Sequence, residues 1–112
     1  MENNLIEWAD FAKIDMRVGT ILEAEIFKEA KKPAYKVLID FGDLGIKKSS
    51  AQITKLYKPE DLIGKQVIAV VNFPEKQIAN IKSQCLILGV VNADEVTLLT
   101  PSLPVKNGLK IA

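Results

Sequence analysis

The chain has 112 residues, 48% hydrophobic and 26% charged, with a formal net charge of +1. That is the composition of one ordinary globular domain, long enough to bury a core without staples. It has no histidine and a single cysteine, Cys85, which removes Ser-His-Asp and Cys-His nucleophilic machinery, the common zinc sites and any internal disulfide.

Neither Gly-x-Gly-x-x-Gly nor the Walker pattern occurs, so no nucleotide cofactor or metal is implied and the chain reads as a non-enzyme. No apolar run approaches the ~20 residues that span a bilayer. The opening MENNLIEWADF carries acids where a signal peptide needs bases, so a cytoplasmic location is expected, in line with the lone cysteine. Charge is uneven: residues 1–30 carry a net of −4 and residues 31–112 a net of +5. All but one of the fifteen bases are lysines, the exception being Arg17. A solvated lysine surface accounts for this more simply than a nucleic-acid track.

In chain order, Asn4-Leu5-Ile6-Glu7 has the form of a capping box, with Asn4 as N-cap and Glu7 at N3. Leu5, Trp8, Ala9 and Ala12 then share one face of a short helix ending near Ile14. Asp15 to Phe27 alternates as a half-buried strand, with Met16, Val18, Leu22, Ala24 and Ile26 on the inner face. Gly19 within it predicts a bulge or a sharp bend. After a turn at Lys31-Lys32-Pro33, a second strand holds Tyr35, Val37, Ile39 and Phe41. Gly42-Asp43-Leu44-Gly45 marks a hairpin before a third strand, Ile46 to about Ser50. Asp40 and Asp43 read as strand end and turn rather than as a carboxylate pair. Pro59 to Gly64 is one helical turn. Strand signals resume at Val67–Val71, then at Cys85 to Val91, with a shorter piece from Val96 to Thr100.

Three strands, a helical connection and two strands is the order of an OB-type barrel. The expected architecture is therefore all-β: a five-stranded OB-fold barrel in a single domain, 1–112. It divides into an N-terminal helix (1–14), the barrel (15–91) and a C-terminal extension (92–112). The helix and extension hold more apolar residues than so small a barrel can bury, among them Leu5, Trp8, Leu99, Leu103 and Val105. These residues either cap the open ends of the barrel or, the favoured reading, form a two-fold homodimer interface.

Asp15-Met16-Arg17-Val18-Gly19-Thr20-Ile21 resembles the opening of the tRNA-binding OB domain, found alone and appended to aminoacyl-tRNA synthetases. Ser49-Ser50-Ala51-Gln52-Ile53, the run from Gly64 to Asn72-Phe73-Pro74, and Ile81-Lys82-Ser83-Gln84 extend the likeness. The Asn-Phe-Pro form of the asparagine motif and the closing Pro104-Val105-Lys106-Asn107-Gly108 are most similar to the CsaA-type export-related chaperones. The resemblance runs from about Phe11 to Ile111 and implies a dimer that binds unfolded or pre-export polypeptides. The wider family implies tRNA recognised by shape on the same surface.

Carried over by position, the peptide- or tRNA-binding candidates are Ser49, Ser50, Gln52, Asn72, Phe73, Lys82 and Ser83. Hydroxyls and amides can satisfy either a peptide backbone or a phosphate–sugar edge, and Phe73 offers a packing or stacking face. Each has a structural alternative: Asn72 tying down a turn, Ser49 and Ser50 steadying a loop, Phe73 in the core. Cys85 reads as a small core residue. Arg17 and Asp15 read as structural, paired with each other or across the barrel, and Trp8 as an interface anchor. The loop Pro74-Glu75-Lys76-Gln77 departs from CsaA-like sequences, which commonly carry a second proline and bases there. Leu86 lies where many tRNA-binding relatives have methionine. Both departures favour the peptide over RNA, since fewer phosphate-facing charges weaken RNA binding.

Overall fold

The computed structural model describes residues 4–112. A first helix, α1 (Trp8–Ala12), leads into β1 (Met16–Ile26), β2 (Tyr35–Asp40) and β3 (Ile46–Ala51). The single turn α2 (Pro59–Leu62) precedes β4 (Gln66–Val70), β5 (Lys76–Ile78) and β6 (Ile81–Ser83). The last strands are β7 (Leu86–Ile87), β8 (Gly89–Asn92) and β9 (Glu95–Leu98). The main sheet has five antiparallel strands in the order β3-β2-β1-β4-β7. It curls until its two edges meet: Gln84 N–H donates to Lys48 O (2.8 Å), and Lys48 N–H donates to the Gln84 Oε1 (2.9 Å). The result is the nearly closed, OB-like barrel that the strand order predicts.

The core follows from the inward period of the strands. Val37, Ile39 and Phe41 from β2 and its end meet Ile21, Val67 and Leu62, all at most 2% exposed. Each such side chain contributes about 1.5–3 kcal/mol by leaving water. Leu62, on α2, plugs the barrel where Gly64 N–H donates to Ile21 O (2.8 Å). Pro59 opens that turn, as its position predicts.

Several expectations need correction. The cap of α1 is Glu7, not Asn4: Glu7 N–H is accepted by the Asp10 carboxylate at 2.9 Å, and Leu5 lies ahead of the helix. The inner face of β1 is not a simple alternation. A bulge falls between Ile21 and Glu23, whose partners Ile39 and Leu38 are adjacent, so Leu22 is the extra residue and turns outward. Gly19 is not the bulge. A Cβ there would lie 2.5 Å from Ile39 Cγ2 and 2.8 Å from the Phe41 ring, so Gly19 is where β1 is crossed closely by the β2 core residues. The expected strand Cys85–Val91 is two strands, β7 and β8, and the expected loop before it contains the β5–β6 hairpin. Val96–Thr100 is the shorter β9, paired with β8.

β1 is eleven residues long and β2 only six. The first half of β1 therefore pairs with β4 on one side and has no strand on the other. The C-terminal residues take that place. Val18 N–H donates to Leu109 O, Gly108 N–H to Val18 O and Ile111 N–H to Met16 O, at 2.7–3.0 Å. Asn107 Oδ1 accepts from the Thr20 hydroxyl (2.7 Å), and Arg17 holds both Asp15 (2.6 Å) and Gly108 O (3.0 Å). The end of the tail thus seals the chain's own barrel.

Candidate binding site

Two of the candidate residues converge on the Cys85 carbonyl, with a third beside them, where the last barrel strand crosses the end of β3. Ser49 donates to it at 2.9 Å and Ser83 at 3.4 Å, while the Ser83 hydroxyl accepts Ser50 N–H at 3.4 Å. Ser49 is 1% exposed, so its hydroxyl serves this junction and does not face solvent. Burial pushes the Cys85 thiol up to about 11, opposed by the Ser49 hydrogen bond and the charge of Lys47. The thiol is therefore protonated and unreactive near neutral pH, as expected for a core cysteine.

Asn72 is placed by the end of β4. Its Nδ2 donates to Lys13 O (2.7 Å) and its Oδ1 accepts Asp15 N–H (3.0 Å). The side chain ties the α1–β1 link to β4. Phe73, the next residue, turns out and is about half exposed. It forms one wall of a hollow of about 290 Å³ completed by Pro74, Lys76, Ser83, Cys85 and Leu86. The lining is mostly apolar, with Lys76 and Ser83 as its polar residues. Lys82 faces a neighbouring hollow of about 360 Å³ with Lys48, Asn80 and Gln84. Gln52 is exposed just past β3 and does not line the Phe73 hollow.

The structure thus brings Ser83 and Phe73 into one hollow and sets Lys82 in the next. Ser50 lies against Ser83, Ser49 lies beneath, and Asn72 acts as a brace. Sequence reasoning missed Pro74, Lys76 and Leu86 as wall residues. Pro74 closes the asparagine motif and Lys76 opens β5 two residues on, and that adjacency was the available signal. Gln84 was also missed as the clasp of the barrel seam, its Nε2 reaching Glu75 at 3.0 Å.

Residues 16–110 match the family model of the tRNA binding domain. The chain belongs to the tRNA-binding-domain family. It is of the CsaA type. The crystal structure of the chaperone CsaA from Bacillus anthracis superposes with a TM-score of 0.93 at 54% identity, over 96% of this chain and 99% of that one. The CsaA chaperone protein of Picrophilus torridus gives 0.91 at 58% identity, over 96% of this chain and 100% of that one. The methionine–tRNA ligase of Pyrococcus abyssi is 38% identical over 106 residues, 95% of this chain. The chain spans only 14% of that ligase, so the likeness is to one domain of it.

In this CsaA-type barrel, the expected interface residues lie at the ends of the chain. Leu5, Trp8 and Leu103 are more than 70% exposed, while Leu99 and Val105 are just over a third exposed. The Trp8 ring is tilted against Phe11, with centroids 5.3 Å apart, and is otherwise open.

Proposed function

We propose that the chain is a CsaA-like chaperone of the cytoplasm that binds unfolded or pre-export polypeptides as a homodimer. The carrying observation is the Phe73 hollow. An exposed aromatic beside Pro74 and Leu86 can take an apolar side chain, while the Lys76 ammonium can meet a peptide carbonyl. Nothing in that arrangement depends on peptide sequence, which suits a binder of many unfolded segments. Exposed Leu5, Trp8 and Leu103 are the residues assigned to the dimer face, since large apolar side chains at this exposure gain by burial against a second copy. The test is light scattering from a denatured client. The protein is expected to slow aggregation at stoichiometric dimer, and no effect at any ratio would overturn the reading. Sedimentation at micromolar concentration is expected to give a dimer that Trp8→Ala with Leu103→Ala dissociates.

A second reading is tRNA binding, favoured by the hollow where Lys48 and Lys82 outnumber the one acid, Glu75. It predicts a tRNA complex that weakens steeply with salt and with Lys82→Ala.

A further inference from the structure

A third hollow, about 430 Å³, lies on the outer face of β1, β2 and β3 and contains none of the candidate residues above. The strand register orders it. Glu23 is opposite Leu38, and Leu38 is opposite Lys48, so these three side chains form one row across three strands. Ile63 and Ile81 also line the hollow, with partly exposed Leu38 as the apolar middle of the row. The next row is Glu25, Lys36 and Ser50. There the charges are already matched: Lys36 pairs with Glu25 at 3.2 Å and its ammonium lies 5.6 Å from the Phe27 ring centre. Glu23 and Lys48 form no ion pair among the described residues. The row therefore offers an acid without an ion-pair partner at one end and an apolar floor beside it, while Lys48 at the other end also lines the neighbouring hollow, where Glu75 is a second charge of opposite sign.

We infer that this row is a peptide slot that selects apolar segments flanked by a basic residue, with the base over Glu23 and the apolar side chain on Leu38. The inference rests on the chaperone reading and adds to it a rule for which segments are held. Scale supports it. Two strand spacings separate Glu23 from Lys48, roughly 10 Å, which an extended peptide covers in about three residues. A basic residue two places from an apolar one lies on the same face of an extended peptide and reaches both features at once, with the stretch beyond it running toward Lys48. RNA laid along the same row would bring a phosphate against Glu23, which repels it. A basic apolar peptide meets no like charge at that end.

Two labelled unstructured peptides test this, sharing one apolar stretch and flanked by paired lysines or by paired glutamates. Anisotropy at low salt is expected to show the lysine form binding about two- to five-fold more tightly, the range of an exposed charge pair. That preference is expected to disappear in 1 M salt. Glu23→Gln is expected to abolish it and Glu23→Lys to reverse it. Phe73→Ser is expected to weaken both peptides while keeping their ratio. Equal binding of both peptides, or a preference that survives Glu23→Lys, would overturn the slot alone. Binding of neither peptide would overturn the chaperone reading and the slot with it. A Glu23→Lys protein that gains tRNA binding without any change in peptide preference would assign the face to RNA and overturn the slot.

Discussion

The amide of Asn72 bridges Lys13 and Asp15, donating to the carbonyl of one and accepting the N–H of the other. Both halves of the side chain are therefore used before any ligand arrives. Asn72→Ala is expected to cost about 1–2 kcal/mol of stability, at roughly 1 kcal/mol for each lost hydrogen bond. Urea denaturation measures this. Where the variant remains folded, its peptide affinity is expected to stay within about twofold of the parent, a difference of roughly 0.4 kcal/mol. A large loss of affinity without loss of stability would give Asn72 a contact with ligand instead.

Two glycines separate crowding from backbone conformation. At Gly19 an added methyl meets Ile39 and the Phe41 ring at 2.5 and 2.8 Å. Gly19→Ala is expected to destabilise by about 3 kcal/mol, through overpacking of a filled core. At Gly64 the surroundings are open but φ is +89°. Gly64→Ala is expected to cost about 1 kcal/mol from the left-handed backbone alone. Thermal melts of both variants check the order.

Stability should fall at alkaline pH through Cys85. Its thiol titrates at about 11 in the folded chain against 9.0 ordinarily, so the unfolded chain loses its proton first. The contribution is complete below pH 9 and declines as pH rises toward 11, by at most about 2–3 kcal/mol. Tyr35, raised by burial and by Glu60 and Asp61, adds a loss of the same sign above pH 10. Denaturation midpoints at pH 8 and 10 are expected to differ in the parent and to converge in Cys85→Ala.

The order of strands was legible because the apolar residues of β2 alternate with the period of a half-buried strand and β4 is a continuous apolar run of strand length. The Asp15–Arg17 pair and the turn at Pro59 were legible for the same local reason. The bulge at Leu22 was not. A bulge shifts every later side chain by one place, and an apolar residue at the shift looks like a continued alternation. Nor was the seal of the tail against β1 legible, since Gly108 to Val18 is a contact between distant backbone groups with no side-chain signal. Within the site, motif positions led to Phe73 and Ser83, which share a hollow, and also to Ser49, which supports that hollow from below. Motif position alone cannot separate a surface hydroxyl from a buried one.

The central claim is that unfolded polypeptide is held by apolar contact at Phe73. The most direct test is binding of an unfolded client and of bulk tRNA, each at low and at high salt, to the parent chain and to Phe73→Ser. Apolar binding survives salt, while phosphate contacts weaken steeply with it. The expected result is client binding that persists at high salt and drops at least tenfold in Phe73→Ser, about 1.4 kcal/mol. Client binding that vanishes with salt and is indifferent to Phe73, beside tight salt-sensitive tRNA binding, would contradict the account.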